Sequence, residues 1–240
     1  MWRDNLRGIY SIALKDMRTY YLKPPSISWG IVFPVAWTLA FYLRSPRNFE
    51  ELVPGLIAMT ILFSTTAAEA VVITFEMRIG ALERLLLAPI TVSAILIGKI
   101  LGGVIFGLLM TALVTACSVL GLGLQVNIAF LALVVVPSLF VFSSLGALLS
   151  VSVKEVFEAQ TLANLPRFLM TFLSGVFYPI SAMPLLLQRF AYLLPLTYTV
   201  EGLRCVFSGD NTVLLDSFVL VAYTIVFILP AVRLLRRRFI

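Results

Sequence analysis

Charge is scarce in this chain. Asp, Glu, Lys and Arg make up 12% of its 240 residues, about half of what soluble domains carry. Apolar residues reach 60%, more than a soluble protein of this size can hide from water. The secreted, nucleic-acid-binding and disulfide-scaffold classes are thereby excluded, and a polytopic membrane protein remains. Histidine is absent, which removes His-based acid–base chemistry, catalytic triads and His metal ligation. The two cysteines, Cys117 and Cys205, lack the CxxC spacing of a zinc or redox site and are expected to be buried thiols. The first 23 residues carry charges throughout, so a cleavable signal peptide is not expected. A phosphate-binding loop is missing too. At the only Gly-Lys pair, Gly98-Lys99, Ser93 stands where the first glycine of such a loop belongs and Ile100 where its Ser/Thr belongs.

What the chain does hold is apolar runs of about 20 residues, the length that crosses ~30 Å of hydrocarbon. They predict an all-α fold with six transmembrane spans at 26–43, 52–75, 93–124, 128–152, 160–178 and 213–232. Segment 179–212 is apolar but broken by Pro179, Pro184, Pro195, Gly202 and Gly209, which predicts short re-entrant outer helices over a cavity. With the N-terminus inside, only Arg44, Arg47, Arg189 and Arg204 of the 18 basic residues fall outside. Lys99, Arg167 and the Arg233 to Arg238 cluster then belong to the cytoplasmic side, and both termini are cytoplasmic. Residues 1–24 read as an interfacial helix. Trp2, Leu6, Ile9, Ala13, Met17 and Tyr20 recur at helical spacing, Arg7, Ser11, Lys15 and Arg18 take another face, and Pro24-Pro25 ends it.

Three local patterns stand out. Residues 76–90, between the second and third spans, form a charged amphipathic run. Glu76, Arg78, Glu83 and Arg84 are its polar side, Leu82, Leu85, Leu86 and Leu87 its apolar side, and Pro89 its end. A rigid helix held along the membrane is a docking element; a plain solvated loop is the alternative. In the fifth span, Gln160, Asn164, Arg167, Thr171, Ser174 and Tyr178 follow alternating steps of four and three. Such a polar stripe is expected to face the dimer axis or the conduit rather than lipid, with helix packing within one subunit as the alternative. Arg167 is expected toward the cytoplasmic end, because a charge at mid-bilayer costs ~2.5–3.5 kcal/mol. Glu69, the deepest acidic residue, is expected to snorkel or pair, and a proton-coupling role would need a relay the chain lacks. Gly98/Gly102 and Gly103/Gly107 give two GxxxG spacings suited to close helix approach.

These residues carry a resemblance. The run Gly80-Ala81-Leu82-Glu83-Arg84-Leu85-Leu86-Leu87-Ala88-Pro89, followed by Gly98-Lys99-Ile100-Leu101, resembles the G-T-L-E-x-L-L-x-x-P … G-K-x-L pattern of type 2 ABC exporter permeases. Ser174-Gly175-Val176-Phe177-Tyr178-Pro179, then Pro184, then Pro195-Leu196-Thr197-Tyr198 and Glu201-Gly202-Leu203-Arg204, is similar to a second block of that family. Ala81 replaces the usual Thr, and Arg78 sits where an acidic residue is common. The resemblance covers nearly the whole chain. It implies a half-transporter made of two copies of this permease and two copies of a separate ABC ATPase that holds the ATP and Mg. Glu76 to Pro89, including Gly80, Leu82 and Leu85, would be the coupling helix, with no cofactor and no enzyme activity in this chain. The second and fifth spans would line the path, which adds Thr60 and Ser64 to the fifth-span stripe as candidates.

The expected function is therefore ATP-driven export of a hydrophobic or amphipathic, drug-like or lipid-like substrate across the cytoplasmic membrane. Export of a lipid-linked polysaccharide or glycolipid is the alternative. It is less favoured because such a conduit calls for an aromatic lining, and the fifth-span stripe has one aromatic, Tyr178. A secondary transporter would show inverted repeats, and an intramembrane enzyme would show converging catalytic groups; the sequence has neither.

Overall fold

In the computed structural model, residues 2–23, 27–44, 49–208 and 213–239 are described, and among them the only regular structure is helical. The helices are α1 (Trp2–Asp16), α2 (Phe33–Arg44), α3 (Phe49–Arg78), α4 (Ala81–Leu86), α5 (Val92–Leu122), α6 (Ile128–Ser152), α7 (Val156–Leu173), α8 (Leu185–Ala191), α9 (Pro195–Ser208) and α10 (Val213–Phe239). Pro24-Pro25, the start of the first expected span, Arg47 and Gly209 lie outside the described residues.

Four helices, α3, α5, α6 and α10, are long and apolar enough to cross a membrane. The other two expected spans are different. The first is a shorter apolar helix, α2, preceded by a π-helical turn over Ser28–Val32. The fifth, α7, has 18 residues and carries Glu158, Gln160, Asn164 and Arg167, too polar for that length to rank with the others. Helix α7 also ends at Leu173, so Tyr178 falls beyond it and off the expected stripe. Segment 179–208 does break into short helices: a 3₁₀ turn over Ile180–Ala182, then α8 and α9.

The caps explain the boundaries. Thr91 takes an extended conformation and its hydroxyl accepts the Ala94 N–H at 3.2 Å, starting α5. Asn127 does the same for α6 through the Ala129 N–H at 3.0 Å. A reciprocal capping box between Glu155 and Glu158 starts α7. The carbonyls left open at the end of α6 are met by α10, whose Arg238 donates Nη1–H bonds to the Val151 and Val153 oxygens at 3.2 and 2.7 Å.

Helix α3 is the axis of the bundle and its apolar stretch is almost wholly buried, whereas little of the apolar stretch of α10 is, as suits a lipid-facing helix. Both glycine spacings of α5 are used, on different faces. A Cβ on Gly98 would come within 3.1 Å of the Ile9 oxygen, and one on Gly102 within 3.1 Å of the Tyr21 ring, so this face admits α1 and the turn after it. Gly103 and Gly107 instead meet Glu69 and Thr65 of α3 and Ser143 and Leu139 of α6. The thiols are not both buried: Cys117 is exposed and Cys205 half-buried, because the outward faces of the apolar helices are open.

Candidate functional site

The expected docking run 76–90 is not one helix. Gly80 has φ +68°, a left-handed conformation that ends α3 and lets the chain restart as α4. Glu76 therefore belongs to α3 and not to the docking element, and it is fully buried rather than solvated. Of the expected docking run, the separate short helix is α4. Leu82 anchors it in the core, Leu85 and Leu86 pack half-buried against that core, and Glu83 and Arg84 are exposed. Leu87 does not join the apolar side; it follows the last turn and is 87% exposed. Pro89 is also exposed, three residues beyond the end of α4 at Leu86. Arg78 pairs with Glu155 at 3.7 Å across an exposed surface.

Behind α4 lies a buried ionic cluster that spacing could not reveal. Lys99 of α5 donates to Glu76 Oε2 at 2.6 Å and to Asp16 Oδ2 at 3.1 Å, and Lys15 bonds both Glu76 and Asp16. Two cations meet two carboxylates, so the desolvated charges are mutually compensated. Burial pushes the Asp16 carboxyl up against the pull of Lys99. The cluster ties α1, α3 and α5 together where α3 ends. Loop contacts extend the tie: Asn5 Oδ1 accepts the Thr91 N–H at 3.0 Å, and Gly8 lies against Ile90. The buried side of α1 is thus Ile12, Ala13, Asp16 and Met17, whereas Trp2 and Leu6 of the expected apolar stripe are exposed and available to lipid.

About two turns of α3 deeper, Glu69 does not snorkel. Its Oε1 accepts from Tyr21 Oη at 3.0 Å, the Gly103 N–H at 3.1 Å and Ser143 Oγ at 3.3 Å, all neutral donors from three other segments.

The polar stripe of α7 turns inward. Arg167, Thr171 and Ser174 are buried against the rest of the same chain. Arg167 Nε donates to Thr66 Oγ1 at 2.6 Å and Nη1 to Asn164 Oδ1 at 2.9 Å, while its guanidinium carbon lies 5.9 Å from the Phe63 ring centre. Its Nη2 has no hydrogen-bond partner. Thr66 lies 12 residues before Arg78, about 18 Å along α3, so Arg167 meets α3 near its middle. Thr60 and Ser64 are buried too, bonded to carbonyls of their own helix at 2.8 and 2.6 Å.

The outward face of α7 is apolar, and aromatic rings of three helices converge beside it. Phe33 and Trp37 of α2, Phe63 of α3, and Phe168 and Phe172 of α7 stand with ring centres 4.5–6.3 Å apart, with Phe177 beyond them. Counting aromatics on a single helix missed this group, which packs mostly at tilted and edge angles.

The outer motif has a mechanical reading. Gly175 has φ +79°, and its carbonyl accepts from Arg204 Nη2 at 2.6 Å, binding the turn after α7 to α9. Tyr198 Oη donates to the Tyr192 oxygen at 2.9 Å. Pro184 precedes α8 and Pro195 opens α9, while Glu201 is half-buried. A cavity of about 710 Å³ lies here, lined by Glu51, Pro54, Phe177, Pro179 and Arg204 among others.

Comparison with known proteins covers most of the chain. Residues 7–207 match the family described as ABC-2 type transporter. The chain is similar to the inner membrane transport permease YadH of Escherichia coli strain K12, 33% identical over 250 residues covering 95% of this chain and 96% of that protein. It is also similar to the probable multidrug ABC transporter permease YbhS of the same strain, 29% identical over 197 residues, 78% of this chain and 52% of the relative. The putative transport permease ycf38 of Cyanophora paradoxa is 27% identical over 209 residues, 79% and 70% of the two chains.

Proposed function

This chain belongs to the ABC-2 type transporter permease family, and from that membership we propose that it is the membrane subunit of an ATP-driven exporter of hydrophobic or amphipathic compounds. It works as a pair of copies with two copies of an ABC ATPase, which bind the ATP and Mg; the permease itself catalyses no reaction. It resides in the cytoplasmic membrane as a six-span protein with both termini inside, in line with the name of the inner membrane relative. The relative named for multidrug transport supports a drug-like or lipid-like substrate.

The observation that carries the proposal is α4. It is a short helix whose leucine is locked in the core while Glu83 and Arg84 stay exposed, and it is braced through α3 by the Lys99 cluster. A push on α4 is thereby delivered to α1, α3 and α5 together, which is what a coupling helix must do. ATP closure of the ATPase pair moves α4, and the bundle reorganises around the substrate. The test is ATP hydrolysis by the reconstituted complex. Glu83→Ala combined with Arg84→Ala is expected to abolish substrate stimulation while membrane insertion and melting temperature stay unchanged. Normal stimulation in that variant would remove α4 from the role.

Export of a lipid-linked polysaccharide or glycolipid is the second reading, favoured by the ring cluster around Phe63 and Trp37, since aromatic faces stack on sugars. The mutual packing of those rings leaves fewer faces open and keeps the amphiphile reading ahead. ATP-dependent accumulation of a saccharide-free amphiphile in inverted vesicles separates the two.

A further inference from the structure

Arg167 is buried to 0% exposure, yet among the described residues no carboxylate lies within ion-pairing distance of it. Its two acceptors, Thr66 Oγ1 and Asn164 Oδ1, are neutral, and Nη2 is left without a partner. An arginine can donate five hydrogen bonds in a planar fork shaped for carboxylate or phosphate, and a desolvated charge without a counter-ion is costly. Helix packing alone does not need that charge. Leucine would fill the space between α3 and α7 without the desolvation penalty.

The surroundings indicate what completes the site. Asn164, which holds Nη1, is half-buried and also lines a surface groove of about 500 Å³ running along α7. The rest of that groove is almost wholly apolar, formed by Leu165, Phe168, Leu169, Phe172 and neighbours. An apolar trough thus ends beside an amide whose other contact is an uncompensated guanidinium. We propose that this pairing is a binding site for an amphiphile with an anionic head: the apolar chain lies along Phe168 and Phe172, and the carboxylate or phosphate exchanges with Asn164 for the fork of Arg167. Because neutral groups hold the guanidinium, the incoming anion breaks no ion pair. The groove is formed by α7 residues alone, whereas the guanidinium is held between α3 and α7, so its fork is presented fully only when these helices part. This inference rests on the export reading for the identity of the occupant as a substrate, but the binding step stands without it.

The test begins with the purified chain alone in phosphatidylcholine nanodiscs, with an NBD-labelled dodecanoic acid as probe and its primary amide and amine analogues as controls. The carboxylate is expected to bind about tenfold or more tightly than the amide, the range of hydrogen bonds to a charged group. Arg167→Gln should reduce the carboxylate to the amide's affinity, and Arg167→Lys should keep part of the preference. Asn164→Asp guards against misfolding. A carboxylate built in at the position now 2.9 Å from Nη1 should pair with Arg167, raise the melting temperature and erase the anion preference. A purely structural arginine would give the first change without the second. Equal binding of acid and amide by the wild type would overturn the proposal. Loss of the preference when phosphatidylglycerol is added would assign the site to resident anionic lipid and overturn its role toward substrate. Absence of ATP-dependent export with the acid preference intact would instead count against the exporter reading.

Discussion

Lys99 and Arg167 are both fully buried, but Lys99 has carboxylates of two other helices at 2.6 and 3.1 Å, whereas Arg167 has only a threonine, an asparagine and a phenyl ring. The first arrangement joins α1, α3 and α5 into one body next to α4. The second leaves the contact between α3 and α7 without an ionic lock. Moving α7 away from α3 therefore costs the one hydrogen bond from Arg167 to Thr66 and some packing, since Asn164 travels with Arg167 on α7, while moving α1 away would strand paired charges. The bundle thus divides into a part held by paired charges and a part held by packing and a single interhelical hydrogen bond of Arg167.

Removing one member of the locked cluster is the largest expected break. Lys99→Met leaves Asp16 and Glu76 buried with only Lys15, and loss of one partner of a buried pair costs about 3–5 kcal/mol. The expected outcome is a large fall in melting temperature in detergent or failure of the protein to accumulate. Adding Glu76→Gln restores one cation to one carboxylate and should recover most of the loss. An unchanged melting temperature in the single variant would show that the cluster is not a lock. Thr66→Val tests the other side at smaller scale. It removes one acceptor from a charged donor, worth about 1.5–3 kcal/mol, and no neutralising second change should rescue it as fully, because no opposite charge is left behind.

Reading the sequence went well where one helix decides the answer. The span at 128–152 matches α6 in both bounds because an apolar run is bracketed by an Asn cap and a polar break. The stripe on α7 is visible as a face, but periodicity does not say what covers a face, and α3 holds Arg167 through Thr66. Glu76 was placed with the docking run because charge near a helix end normally means solvent. Its partners, Lys15 and Lys99, are separated from it by 61 and 23 residues, and no spacing rule joins them. The break at Gly80 was readable in principle, since glycine is the residue that stops a helix in the left-handed region. Asp16 and Lys99 of the buried cluster are not singled out by any spacing, and the only signal for them is that acidic and basic residues are rare in this chain.

The smallest expected effect calibrates the rest. Arg78 and Glu155 are opposite charges at 3.7 Å, close in chain position to the buried cluster, but their side chains are 64% and 58% exposed. An exposed pair loses little water on forming and is screened by salt, so it contributes about 0–1 kcal/mol. Arg78→Ala should therefore shift the melting temperature by no more than the spread between replicates at 0.15 M salt, and any shift should shrink as salt rises. The Lys99→Met penalty should hold at the same salt concentrations, because buried charges are screened much less. If both variants respond to salt alike, the cluster is wet, and burial cannot be what separates it from a surface pair.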